Sequence, residues 1–549
     1  MKASDNDPIA LSTQLLSTLQ NQISQTQSFK GKWGLIKTKL NDLQTQLTDF
    51  TDFPNSRSNP LSLDLLYSIS HTLNDAVLLS AKCQTLSLSE GKLKTQSEID
   101  AVLAKLDRHV RDSEILIKSG VLSDGVVFES KREAVRAESR SLITRLQIGS
   151  AESKNSALDL LLELLQGDDK NVMIAVAQGV VPVLVKLLDS SSFEMKEKAV
   201  SLISRISLVD SSKHVVIAEG LLLLNHLLRV LDSGSAFAKE KACVALQVLT
   251  FSKENARAIG SRGGISSLLE ICEVGTPGSQ AFATGVLRNL ALFSEIKENF
   301  VEENGVGVLL GVMNSGTALA QENAIGCLCN LVSDDESLKL LVFREDGVQC
   351  LMNFWDSNSN NNRALEVAVE LLCHLASCQT IAEVVVSEGV IGRLMGVLNC
   401  GVLGVRVAAA KAVYELGFST RTRKEIGECG CVGPLIRMLD GKAVEEKEAA
   451  AKALSILMLY AGNKKIFKKD ERGIVSAVLL LDPLVQNLDK KYPVSILASL
   501  VHSKNCRKQM VAAGACLFLQ KLVEMDIEGS KKLLDSLGRS KILGVFSRP

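Results

Sequence analysis

Apolar residues return every three or four positions along almost the whole chain, the spacing of one buried helical face. Four such sets open the sequence: Leu11, Leu15, Leu19 and Ile23; Trp33, Ile36, Leu40, Leu43 and Leu47; Leu61, Leu65, Ile69, Leu73 and Val77; Ile99, Val102, Leu106 and Val110. Breakers separate them at Lys30-Gly31, at Pro54-Asn55-Ser56 and from Ser87 to Gly91. Amphipathic helices with short connections predict a compact bundle over residues 1–118. A turn at Ser123-Asp124-Gly125 and a charged connecting helix, placed at 119–140, follow.

Beyond residue 140 a larger period takes over. The stretch AQENAIGCLCNL at 320–331 is followed by a polar turn, a short helix ending at a glycine, and an apolar helix that closes at Trp355. Its relatives are found through two anchor series. Leu146, Leu187, Val230, Ile271, Val312, Phe354, Val397, Met438, Leu481 and Leu522 close the middle helices at intervals of 41 to 43 residues. Leu164, Ile206, Leu249, Leu290, Leu331, Leu375, Leu416, Leu457 and Leu500 close the longer helices at 41 to 44. Two independent series with one period, in the low forties and with three helices per unit, predict a solenoid rather than separate globules. Glycines such as Gly179, Gly263, Gly305 and Gly347 fall where a short helix must turn into the next. The expected fold is all-α: a bundle, then a right-handed armadillo-type solenoid of about nine repeats over 141–525, with 526–549 as a C-terminal cap and tail.

Charge and cysteine content narrow the function. Lys plus Arg and Asp plus Glu both number 62, so no global positive field favours nucleic acid, and none is expected as a partner. Thirteen cysteines without paired spacing behave as small core residues of a reducing compartment. The apolar stretch 384–413 is broken by Glu388, Arg393 and Arg406, and is better explained as two buried repeat helices than as a membrane span. MKASDNDPIA has no signal core, Lys2 excludes myristoylation, and the terminal Val545-Phe546-Ser547-Arg548-Pro549 has no prenylation box. A cytoplasmic location, with nuclear access open, is the expectation.

AQGVVPVLVKLLDSSSFEMKEKAVSLI, at 177–203, resembles the armadillo consensus of a glycine and a proline before a leucine-rich helix. The region 141–520 resembles the repeats of plant U-box armadillo proteins and of the yeast vacuolar armadillo protein. LLYSISHTLNDAVLLSAKCQ and LAKLDRHVRDSEILIKSGVL resemble the helical domain that precedes the U-box in the plant proteins. About thirty residues separate bundle and repeats, roughly half of what a U-box needs, so the resemblance does not carry ligase activity. It does imply that the third helix of each repeat lines a concave face on which, in importin-α and β-catenin, asparagines hold an extended peptide.

The matching positions, one residue before the second anchor, are Glu163, Arg205, Val248, Asn289, Asn330, His374, Glu415, Ile456 and Ser499. An amide can both donate to and accept from a peptide unit. Asn289 and Asn330 are therefore candidate partner contacts, the other readings being solvated groups or bridges between repeats. Arg205, His374 and Glu415 join them as candidate groove residues, against the alternative of a mixed-charge wet surface. Replacing both asparagines is expected to weaken partner capture and leave melting nearly unchanged. No second ligand accompanies His374 at metal spacing, and Cys327-Leu328-Cys329 and Cys429-Gly430-Cys431 lack a second pair, so no metal is expected. Trp33 and Trp355 fit core positions. Clusters such as Glu194 to Lys198 and Glu445 to Glu448 mark solvated helix starts. No phosphate loop, nucleophile elbow or cofactor motif is present, and neither catalytic residues nor a cofactor are expected. The sequence points to a non-catalytic scaffold that binds other proteins. A substrate adaptor or competitor in ubiquitin ligation is the alternative, and membrane attachment through the bundle a lesser one.

Overall fold

The computed structural model describes residues 7–84, 91–123 and 130–545, with side chains to residue 538. Most of the expected breaker at 87–91 and turn at 123–125, the first six residues and the last four lie outside the described residues. Helix is the regular structure throughout, with no strand among the described residues. The chain divides into two compact units, 1–249 and 250–549.

The first unit opens with four helices, Pro8–Ile23, Lys30–Thr51, Pro60–Lys82 and Lys92–Ser119. Asp7 and Asn59 cap two of them by accepting the backbone N–H groups of Ile9 and Leu61, and a proline follows each cap, where its missing N–H costs nothing. One core joins the four, with Trp33, Ile36, Leu40, Phe50, Ile69 and Leu106 at 0% exposure. The buried face of the first helix runs through Ile9, Ser12, Leu16, Leu19 and Ile23; Leu11, expected inside, is 47% exposed. The helix offers Leu11, Leu15, Leu16 and Leu19, and the core takes the register through Leu16 and Leu19, which leaves Leu15 half-buried and Leu11 outside. Inside this core Thr72 Oγ1 lies 2.9 Å from His109 Nε2. Burial pulls the His109 pKa down to about 4, so the ring is neutral at pH 7.

Helices Lys131–Ile148 and Ala151–Gln166 follow, and then three-helix units begin: 169–207 and 213–249 in the first unit, and 253–290, 297–332, 336–376, 379–416, 420–457, 461–500 and 504–545 in the second. The middle-helix anchors are buried throughout, from Leu146 at 1% to Leu522 at 0%. The second series holds with one shift: Leu165, not Leu164, is the buried member, which brings its spacing to Ile206 to 41 residues. In the second unit each third helix packs against the next, from 277–290 through 318–332, 362–376, 403–416 and 444–457 to 491–500.

The turn into most middle helices puts one residue in the left-handed region; the turn before Gly473 does without one. Gly263 takes it directly, at φ +74°. In the next two repeats the preceding Asn304 (φ 54°) and Asp346 (φ 59°) take it instead. There Gly305 and Gly347 serve close approach: a Cβ on Gly347 would stand 2.5 Å from the Val342 carbonyl oxygen. The stretch 384–413 runs over parts of three helices, Gln379–Ser387, Val390–Leu398 and Leu403–Leu416, where two were expected. Among the described residues no single helix is long and apolar enough to cross a membrane.

Candidate functional site, the face formed by the third helices

Arg205, near the end of the helix Phe193–Ser207 in the first unit, is bound to its own chain. Its Nε donates to the Leu165 carbonyl at 3.0 Å and its guanidinium pairs with Asp169. The last four carbonyls of a helix have no partner within it. Arg205 supplies one to the preceding long helix, Ala151–Gln166.

The asparagines do comparable work in the second unit. Asn330 donates from Nδ2 to the Arg288 carbonyl at 2.9 Å, again in the last turn of the preceding third helix. Asn289 donates from Nδ2 to Thr250 Oγ1 at 3.0 Å. Of the readings open from sequence, the bridge between repeats is the one this geometry fits. The expectation that melting would survive their replacement changes with it, because a half-buried carbonyl would lose its donor.

His374 and Glu415 lie farther along the same face and share surroundings. Burial holds the His374 pKa below its ordinary value, against the pull of nearby Glu370, so the ring is neutral at pH 7. Burial raises the Glu415 carboxyl, with Lys452 and Lys339 opposing. A cleft between the helices Asn362–Ala376 and Leu403–Leu416 is lined by Glu370, Cys373, His374, Val407 and Lys411. The Cys373 thiol is pushed up to about 12 by burial, which keeps it protonated and unreactive. Lys452 stands 4.2 Å from the centre of the Tyr414 ring. These groups offer a neutral imidazole, carboxylates, ammoniums and an aromatic edge on one surface. Arg205, in the other unit, is not part of this cluster.

Several residues of this face escaped the sequence reading. Glu322 pairs with Arg363 at 2.8 Å and Arg406 with Glu446 at 2.7 Å, each across neighbouring third helices. Glu446, expected in a solvated helix start, has a side chain only 6% exposed. Its place in the first turn does favour the helix dipole, but the partner one period earlier draws it inward. Opposite charges 40 and 41 residues apart were the available signal, visible once the period is known. Gly326 was another: the Arg288 side chain lies across it, and a Cβ there would overlap the guanidinium.

Trp33 and Trp355 are core residues, at 0% and 4% exposure. Cys327, Cys329 and Cys431 are buried, Cys429 is exposed, and none of the thirteen cysteines forms a disulfide. Among the described residues no three His, Cys, Asp or Glu side chains gather as a metal site would require.

Comparison with known proteins agrees with this architecture. Residues 168–208 match the Armadillo/beta-catenin-like repeat family, and residues 10–121 match a domain of unknown function, DUF7032. U-box domain-containing protein 8 of Arabidopsis thaliana is 27% identical over 266 residues, 48% of this chain and 69% of that protein. The crystal structure of an engineered protein superposes with a TM-score of 0.63 at 23% identity, over 73% of this chain and 99% of that one. A structure solved for the phosphorylation switch that controls the interaction between cadherin and beta-catenin gives 0.61 at 16% identity, over 80% and 97%. The fold is an all-α armadillo-type solenoid preceded by helices of its own.

Proposed function

We propose that the chain is a non-catalytic scaffold that binds partner proteins along the concave face of its solenoid, in the region of Glu370, His374, Lys411 and Glu415. The carrying observation is that cleft and its rim, where the half-buried His374 imidazole and Glu415 carboxyl stand beside the exposed Glu370 and Lys411 on one rigid surface. Half-buried polar groups bind with less desolvation still to be met than fully hydrated ones, and rigid helices hold them in register for an extended segment. Asn289 and Asn330 belong to this reading in a lesser role, since their donors already serve the chain. Affinity purification of the full chain against a Glu370→Lys/Lys411→Glu/Glu415→Lys variant tests it. Partners should be lost from the variant while its circular dichroism stays that of the parent; an unchanged partner set would defeat the reading.

The likeness to a U-box domain-containing protein supports a second reading, a substrate adaptor or competitor in ubiquitin ligation without ligase activity of its own. A reconstituted ubiquitination assay should show no autoubiquitination by the purified chain. A cytoplasmic location with access to the nucleus belongs to the same proposal, and imaging of the tagged full chain checks it.

A further inference from the structure

The first helices of the second unit form an edge that borders the third-helix face, where Glu298 and Asn330 line one cleft, and adjoining members meet along it. Gly260 faces Asn299 and Ile296 of the next repeat, Cys378 Sγ reaches the Glu336 carboxylate, and Gly427 abuts Asn463 with no room for a Cβ. Past the first of these helices, Lys253–Ser261, whose Lys253 and Arg257 both pair with Glu295, charge is sorted along this edge. Segments 297–304, 334–346 and 379–389 carry ten acidic and three basic residues, whereas 420–430, 461–472 and 504–513 carry eleven basic and four acidic. The sorting is local, because the whole chain is neutral.

These charges face water. Glu298, Glu302 and Glu303 at one end, and Lys465, Lys468 and Lys508 at the other, are exposed and have no ion pair among the described residues. Aliphatic side chains stand between them: Val301 is 48% exposed, and Ile466 and Val511 are 39% each. An edge of one sign would suit a long polyanion. Here a membrane surface or a nucleic-acid duplex laid along the edge would be attracted by one half and repelled by the other. A partner with the reverse order of charge satisfies both halves, and a second copy turned end for end has that order.

We propose that two copies of this chain associate antiparallel along the first-helix edges of residues 297–513, the acidic half of each against the basic half of the other. Such a contact is isologous: one self-complementary surface, used twice about a two-fold axis. Each copy brings its aliphatic residues under the paired charges. Attraction between exposed charges falls off over about 8 Å at physiological salt, so the association is salt-sensitive.

Sedimentation velocity of the full chain at micromolar concentration tests this without any substitution: a dimer at about 50 mM salt should become a monomer at about 500 mM. The triple variant Lys465→Glu/Lys468→Glu/Lys508→Glu and its counterpart Glu298→Lys/Glu302→Lys/Glu303→Lys should each lose the dimer, with affinity down at least about tenfold. Mixed in equal amounts they should form a heterodimer, because each then presents the charge the other lacks. That rescue also excludes misfolding as the cause of either loss. A parent chain monomeric at low salt overturns the proposal, as does a dimer indifferent to both reversals. A monomer that binds phosphatidylserine vesicles or duplex DNA through its basic half overturns it in favour of a polyanion partner.

Discussion

Arg406 and Lys468 are both cations of the later repeats, and their surroundings differ in kind. Arg406, on a third helix, gives Nε to the buried Glu446 carboxylate and a second N–H to the Cys400 carbonyl at 2.8 Å. Lys468, on a first helix, extends into water without an ion pair among the described residues. The same contrast separates Arg288, folded across Gly326, from Lys465, which is exposed. Third helices pack on their successors, so a long polar side chain there has the next repeat within reach and is drawn into holding the stack together. First helices have one side turned to solvent: Lys297 and Arg423 still reach carbonyls of their own chain, but a charge on the outer side, such as Lys468, costs little and commits to nothing. Polar residues on the two surfaces therefore answer to different demands, one to the fold and the other to whatever arrives from outside.

The contrast is testable by substitution. Arg406→Ala would leave Glu446 buried without its partner and should destabilise the second unit by about 3–5 kcal/mol in chemical denaturation. A loss within experimental error would mean that Glu446 reaches water after all. In the bundle His109 is a committed polar group of another kind. Its folded pKa of about 4 lies below the unfolded value near 6.5, so the unfolded chain takes up the proton first as pH falls. Stability is complete above about pH 6.5 and declines towards pH 4 by up to about 3 kcal/mol, a slope that His109→Gln should flatten. Asn330→Ala, which takes the donor from the Arg288 carbonyl, should cost about 1–2 kcal/mol in the same denaturation experiment. Lys468→Ala should stay within about 0.5 kcal/mol of the parent, because nothing in the chain depends on it. A reversed order, with Lys468 costly and Arg406 cheap, would dissolve the distinction between face and edge.

The fold could be read from sequence because its signal is repeated: two anchor series kept one period across hundreds of residues, and nearly every anchor is buried. Errors fell where a single copy decided the matter. Leu11 and Leu164 were each placed in the core and lie outside it, in short segments where neighbouring leucines make two registers plausible. The site was harder to see. A position such as that of Asn330 is defined by its neighbour one repeat earlier, and sequence gives the residue type without saying whether its amide faces a partner or the Arg288 carbonyl. Glu446 shows the same blindness: its helix start looked solvated until the third helix before it supplied Arg406. The sorted charge of the first-helix edge lay open in the sequence, yet it needed the helix boundaries before acidic and basic segments could be assigned to one surface.

The most direct measurement is quantitative affinity purification of three full-length chains side by side: the parent, the face variant Glu370→Lys/Lys411→Glu/Glu415→Lys, and the edge variant Lys465→Glu/Lys468→Glu/Lys508→Glu. The face variant should lose the partner proteins of the parent while the edge variant keeps them and loses only its own second copy. Partners retained by the face variant and lost from the edge variant would contradict it, and would move the binding surface to the first helices.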